Sequence, residues 1–268
     1  MNLAIFGANG RMGNALLHTL SAQSELVLSA AFVRSTCTWL NQPVNQFIPS
    51  FQADLSFTEY YQPALQSARV AIDFTLPAAF EQHLGVCLES KTPVVIGTTG
   101  LSSEQLLWLA EAAKSIPIVF AANYSVGVAL MTKLCRIGAS RLADTADIEI
   151  IEAHHRFKRD APSGTAKAIG EAIADEIGTT LETDAIYARE GDMGERDSST
   201  IGFSTIRGGD IIGEHTVLFA DIGERLEITH KASNRQTFAV GALRAARWLV
   251  NKPAGLYNME DVLELKDI

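Results

Sequence analysis

The sequence predicts an α/β chain in two parts, an N-terminal domain on a parallel sheet followed by an α+β domain with a mixed sheet. Three observations predict it. Short apolar runs alternate with helical stretches through the first 121 residues, and a glycine loop follows the first of those runs. Beyond residue 123 the strand-like segments change to period-two alternation.

Residues 3–6 read as a buried strand and 11–22 as a helix. A second strand at 26–33 precedes an irregular Asn/Gln/Pro stretch at 41–49. Then come a strand at 70–74, a helix at 78–90, a strand at 94–97, a helix at 102–114 and a strand at 118–121. Continuous apolar strands separated by helices belong to a parallel sheet covered on both faces. In the second part, 128–142 reads as a helix and 148–153 as a strand, followed by a polar loop and a helix from 165 to 177. Alternating segments at 200–206, 215–220 and 226–229 suggest a sheet with one face covered, the last two joined by an Asp221-Ile222-Gly223-Glu224 hairpin turn. A final helix at 237–250 carries the apolar stripe of an element packed on a globular body.

Composition narrows the function. At 47% hydrophobic and 20% charged, the 268 residues can bury a core. The formal charge of −9, from 31 acidic and 22 basic residues, argues against a nucleic-acid surface. Cys37, Cys87 and Cys135 are an odd, widely spaced set, read as reduced thiols. No apolar run approaches the roughly 18 residues that span a bilayer, and no basic segment precedes the first strand, so no membrane partner and a cytoplasmic location are expected.

Gly7-Ala8-Asn9-Gly10-Arg11-Met12-Gly13 follows the first strand and opens the first helix. Glycines there let the backbone turn tightly and approach a pyrophosphate, which sits on the N–H groups of the helix N-terminus. The spacing is G-x-x-G-x-x-G, with Asn9 where the second glycine of the usual fingerprint stands. Asn tolerates positive φ, and Arg11 adds a cation for a phosphate. This predicts a Rossmann dinucleotide-binding domain; the bland alternative is an ordinary strand–turn–helix corner. The second strand ends Ala31-Phe32-Val33-Arg34, without the carboxylate that commonly meets the adenosine ribose. Arg34 suits a 2′-phosphate, so NADPH is favoured and NADH is a possible second cofactor; the alternative is a solvated loop arginine. Gly97-Thr98-Thr99-Gly100 and Ala121-Ala122-Asn123-Tyr124 lie at the carboxyl ends of further strands, where open α/β sheets bind ligands.

The densest chemistry runs from Glu152 to Ala166. Alternation sends His154 and His155 to opposite faces of a strand end. Ser163-Gly164-Thr165 before a helix places N–H groups and a hydroxyl where a carboxylate binds. Arg156, Lys158 and Arg159 make the neighbourhood basic within an acidic protein, which favours an anionic ligand. A histidine exchanges protons near neutral pH, and a lysine donates one or holds a carboxylate. A metal site drawing on His154, His215 and His230 has no ligand spacing to support it, and none is expected.

At these residues the chain resembles the 4-hydroxy-tetrahydrodipicolinate (dihydrodipicolinate) reductases of bacterial lysine and diaminopimelate synthesis. The resemblance rests on GANGRMG at 7–13, IDFT at 72–75, VIGTTG at 95–100, FAANYSVGV at 120–128, EAHHRFKRDAPSGTA at 152–166 and FADIGERLEITHKASNRQTFAVGA at 219–242. It implies a Rossmann domain at 1–126 completed by 235–268, with an inserted substrate-binding and tetramerisation domain at 127–234 and a homotetrameric assembly. It further implies cofactor contacts from Gly7, Ala8, Asn9, Gly10, Arg11 and Met12, from Gly97, Thr98 and Thr99, and from Ala121, Ala122, Asn123 and Tyr124. His154 is similar to the family's acid/base residue and Lys158 to its proton donor. His155, Gly164 and Thr165 look like ligands of the two carboxylates of a small dicarboxylate substrate, and Arg235 follows the shared Lys-Ala-Ser-x-Arg pattern. Val33 departs from members that carry an acidic residue there, again favouring NADPH. The implied reaction is reduction of 4-hydroxy-tetrahydrodipicolinate to tetrahydrodipicolinate with loss of water. The competing readings are a reductase of another small carboxylate and a non-catalytic dinucleotide sensor; the first lacks a nucleophilic cysteine in a polar loop for semialdehyde chemistry, and the second has no need of the His/Lys/Gly-Thr cluster.

Overall fold

The computed structural model describes residues 1–51 and 54–266; residues 267 and 268, the end of the expected second dinucleotide-domain segment, lie outside the described residues. The chain divides into two compact units, Met1–Val126 with Arg235–Ile268, and Gly127–Asn234.

The first unit carries β1 (Asn2–Phe6), α1 (Arg11–Ser21), β2 (Val27–Ala31), β3 (Val70–Asp73), α2 (Pro77–Glu89), β4 (Val94–Ile96), α3 (Ser103–Ala112) and β5 (Pro117–Phe120). These strands form one parallel sheet in the order β2-β1-β3-β4-β5. The chain leaves β2 and returns on the far side of β1, so the order reverses between β1 and β3. Ligands bind beyond the carboxyl ends of the strands at such a reversal, and the glycine loop stands there. Both faces are covered: Leu3, Ala4, Ile5 and Phe6 are all buried, as their uninterrupted apolar run requires.

The second unit begins with α4 (Val126–Leu142) and β6 (Asp147–His154), then α5 (Gly164–Ile177), α6 (Leu181–Asp184), β7 (Ala185–Ile186), β8 (Ile201–Arg207), β9 (Gly213–Asp221) and β10 (Glu224–Ala232). Its sheet runs β10-β9-β6-β8-β7, with β6–β8 and β8–β7 parallel and β6–β9 and β9–β10 antiparallel. This is the mixed sheet expected from the change in periodicity. Ile148, Ile150, Phe203, Val217 and Phe219 point into a core with Ile169 and Ile173 of α5 and Cys135 and Ala139 of α4. Side chains at alternate positions of β9 are only partly covered, so one face of the sheet stays open. Ile222 and Gly223 close the β9–β10 hairpin, with Gly223 at φ +95°.

The chain then returns to the first unit through α7 (Gln236–Leu249), β11 (Gly255–Tyr257) and α8 (Met259–Val262). β11 adds a sixth parallel strand beside β5, beyond the last element that the sequence predicts. Three residues are too few to show a period, so β11 is legible only through its partner. On α7, Gly241 packs against the backbone of Tyr124: a Cβ there would stand 1.7 Å from the Tyr124 carbonyl oxygen. No described helix is long and apolar enough to cross a membrane.

Candidate active site

In the first unit the glycine loop has the form a bound diphosphate needs. Gly7 adopts φ +62°, and the Gly10 N–H closes the turn onto the Gly7 carbonyl at 2.8 Å. Gly13 lets α1 press on the loop: a Cβ there would lie 2.3 Å from the Gly7 oxygen and 2.6 Å from Ala8 Cα. The N-cap Gly10 offers no side-chain cap to the first turn of α1, and that turn holds no acidic residue to compete with an anion. Asn9, Gly10 and Arg11 are exposed, Met12 is half-buried, and Ala8 is buried.

A buried polar chain supports this loop from below, and sequence reading missed it. Asp73, at the end of β3, accepts the Thr75 N–H at 2.7 Å and the Thr75 hydroxyl at 2.6 Å. Its other oxygen pairs with His83 Nδ1 at 2.8 Å, and His83 Nε2 meets the Tyr61 hydroxyl at 3.1 Å. The Thr75 methyl lies 2.7 Å from where a Gly7 Cβ would stand, so this network packs directly under the turn. Asp73 stood in the quoted IDFT string; His83, ten residues on, carried no local signal.

Of the other expected cofactor contacts, Gly97 sits under the Phe74 ring, which a Cβ would overlap at 2.1 Å. Thr98 is buried with its hydroxyl unpartnered, a donor such a site leaves for a ligand, and Thr99 is exposed. Ala121 and Asn123 are half-buried and Ala122 is exposed. The Tyr124 side chain is buried, its hydroxyl directed at the Ile96 and Val119 carbonyls at 2.8 and 3.0 Å. That ring props the β4 and β5 ends, so any contact from Tyr124 to a cofactor comes from its backbone. Arg34 is exposed just beyond β2. These residues therefore fit a dinucleotide diphosphate.

In the second unit β6 ends at His154, so strand alternation no longer governs His155, which is half-buried on the following loop. His154 is 8% exposed and gives its Nδ1 to Glu152 at 2.6 Å. Glu152, two residues earlier on the same face, accepts both ends of the Arg207 fork at 2.7 and 2.8 Å, the Ser163 N–H at 3.0 Å and the Thr205 hydroxyl at 3.3 Å. Burial raises the Glu152 carboxyl, but the bonds from His154 and Arg207 more than offset it and hold it down at about 2. An ionised carboxylate only accepts, so His154 carries a proton on Nδ1 and turns Nε2 outward. Gly213 stands opposite on β9, where a Cβ would sit 3.1 Å from that Nε2; the glycine leaves it uncrowded.

His215 packs edge-on against His154 with ring centres 5.2 Å apart, and its Nε2 bonds to the Ser163 hydroxyl at 3.2 Å. Burial, with the charge of His154 beside it, pushes His215 down to about 4 against the pull of Glu152, so it is neutral near pH 7. Ser163 caps α5 by accepting the Ala166 N–H at 3.1 Å. Gly164 and Thr165 are the first two residues of α5, and no atom lies within 4 Å of where a Gly164 side chain would begin. Lys158 lies on the same loop, its Nζ 2.9 Å from Asp160. Arg235 stands at the N-cap of α7, in the first unit. Among the described residues no cluster of His, Cys, Asp or Glu could hold a metal ion; two of the three histidines weighed for one, His154 and His215, spend a ring nitrogen on Glu152 and Ser163.

Two family models match, the dihydrodipicolinate reductase N-terminus over residues 1–124 and its C-terminus over 127–263. A 4-hydroxy-tetrahydrodipicolinate reductase from Pseudoalteromonas atlantica is 56% identical, the match covering 98% of each chain. One from Acinetobacter baumannii is 50% identical over 99% of this chain and 97% of its own. Among solved structures, a dipicolinate-bound dihydrodipicolinate reductase from a Paenisporosarcina species superposes with a TM-score of 0.75 at 26% identity, covering 96% of this chain and 97% of that one.

The titrations of His215 and Glu152 set a pH dependence of stability. Both groups bind protons less readily when folded, His215 at about 4 against an ordinary 6.5 and Glu152 at about 2 against 4.5. The unfolded chain therefore takes up more protons on acidification, and the stability each group confers is lost as pH falls. His215→Gln is expected to flatten the fall in unfolding midpoint between about pH 6.5 and 4, and Glu152→Gln the fall between about pH 4.5 and 2. Denaturant titrations across these windows check both.

Proposed function

This chain belongs to the dihydrodipicolinate reductase family, and we infer that it catalyses NAD(P)H-dependent reduction of 4-hydroxy-tetrahydrodipicolinate to tetrahydrodipicolinate with loss of water, in the diaminopimelate route to lysine. The observation that carries the reading for this chain's own residues is His154, held by Glu152 with Nε2 free to exchange a proton, at the end of β6 where the chain turns into the loop that leads to the N-terminus of α5.

The glycine loop, with Thr98 and the backbone at Ala121–Tyr124, holds the dinucleotide, and Arg34 meets the 2′-phosphate. Bound NADPH supplies what no side chain can, a hydride from C4 of its nicotinamide to C4 of the substrate ring. His155, Gly164 and Thr165 hold the two carboxylates of the substrate, helped by the positive end of α5. Fixing the ring this way replaces much of the entropic cost of a bimolecular encounter. Lys158 and His154 supply the proton that the ring carbon takes up after reduction, with Lys158 as donor and His154 Nε2 as the acid/base group. The reaction consumes one proton, releases one water and leaves the oxidised cofactor.

A cytoplasmic location goes with this reading, consistent with three free cysteines, two of them buried. A homotetramer also belongs to it: Ile206, at 51% exposed, and the half-buried Ile151 and Leu218 lie on the open face of the second sheet and suit burial against another copy.

Three measurements test these assignments. His154→Ala and Lys158→Ala should each lower kcat by about 100-fold or more, the range for a lost general acid or base, with the NADPH dissociation constant unchanged; equal loss of cofactor binding removes both residues from the chemistry. Arg34→Ala should raise KM for NADPH by about tenfold, one charge-assisted contact, and leave NADH untouched; an equal effect on both places Arg34 outside the cofactor site. Paired Ile206→Lys and Leu218→Lys should reduce the mass in sedimentation from four copies to fewer, whereas an unchanged mass moves the interface elsewhere.

A further inference from the structure

Glu152 is engaged beyond what a buried carboxylate needs to be tolerated. Arg207, Ser163 and Thr205 already supply four hydrogen bonds and a countercharge. The bond to His154 is the shortest of the set at 2.6 Å and uses the oxygen shared only with one arm of the Arg207 fork. Arg207 itself is tied on both sides, its two nitrogens donating to the Ile206 and Asp160 carbonyls at 2.7 Å, so the fork cannot swing away from the carboxylate.

We propose that Glu152, clamped by Arg207, is the positioning residue that makes His154 an acid/base group: the carboxylate fixes the ring by Nδ1 and turns Nε2 outward, while Arg207 holds the carboxylate in place and sets a positive charge against it. The inference rests on His154 being the acid/base group of the reaction above. The charges work in opposition. The carboxylate, 2.6 Å from the His154 ring, attracts a positive charge there, and the Arg207 guanidinium on the same carboxylate opposes it. The other groups around the ring do not replace either one. Lys158 on the following loop is paired with Asp160, His215 on β9 is held neutral by burial, and His230 on β10 pairs in register with His215 beyond it. Gly213 completes the arrangement by leaving Nε2 uncrowded.

The arrangement gives a signature that a purely structural ion pair would not. Glu152→Gln removes the negative charge and leaves Arg207, so the limb of the kcat–pH profile set by His154 moves to lower pH. Arg207→Gln leaves the carboxylate uncompensated, so the same limb moves to higher pH. Glu152→Gln should lower kcat by about 100-fold, with KM for substrate within about threefold, as for loss of a residue that holds a catalytic histidine in its tautomer. In a His154→Gln background the same change should cost less than about twofold, since the residue it acts through is gone.

Histidine nitrogen-15 NMR of the wild-type protein above pH 8 tests the tautomer without any variant. A proton on His154 Nδ1 supports the proposal, and a proton on Nε2 overturns it whether or not the variants fold. Shifts of the two pH limbs in the same direction, or losses that simply add in the double variant, also overturn it. A His154→Gln enzyme with full turnover would instead remove His154 from the chemistry, an outcome distinct from a normal Glu152→Gln enzyme beside an inactive His154→Gln one.

Discussion

The buried carboxylate of Glu152 ties together the end of the second unit where the candidate site lies. It sits at the end of β6, takes the fork of Arg207 from the neighbouring end of β8 and the N–H of Ser163 at the cap of α5, and holds the ring of His154. Two strands, a helix start and the His154 ring thus meet on two oxygen atoms. A charge this deep is tolerated only when paired, and removing one partner from such a pair costs about 3–5 kcal/mol. The same bonds that hold His154 therefore also join this end of the sheet to the start of α5. The electrostatics follow from the same contact, because a carboxylate held at about 2 stays an acceptor throughout the range in which a histidine exchanges protons.

The first unit repeats the device with different residues. Asp73 ends β3, fastens Thr75 and His83, and through the Thr75 methyl supports the turn at Gly7. In both units a buried acidic residue near the carboxyl end of a strand converts sheet geometry into the placement of a loop. The glycine loop needs this support because it has little of its own: its glycines supply conformation and close approach, with φ +62° at Gly7 and no room for a Cβ at Gly13.

The sequence was informative wherever a local pattern carries the physics. Apolar runs without alternation located β1, β3, β4 and β5, and period-two alternation located β9. The glycine spacing located the turn before α1, and Ser163-Gly164-Thr165 located the start of α5 to within a residue. What stayed hidden depends on contacts between distant segments. Arg207 reaches Glu152 only because β8 pairs with β6 in one register, with Thr205 beside Glu152, and no spacing in the chain encodes that. His83 and Gly213 were hidden for the same reason. Glu152 itself is legible, since a residue two before His154 on a strand shares its face. Tyr124 marks a limit of another kind, since the motif located the residue but not the direction of its ring, which lies in the core.

The account turns on this chain being a reductase that couples oxidation of a nicotinamide dinucleotide to reduction of 4-hydroxy-tetrahydrodipicolinate. The most direct test is the oxidation of NADPH by the wild-type protein with freshly generated 4-hydroxy-tetrahydrodipicolinate, with tetrahydrodipicolinate measured in the same samples. The account predicts oxidation only when substrate is present and one product formed for each NADPH consumed. A folded protein that binds NADPH yet oxidises none of it with this substrate would contradict the account.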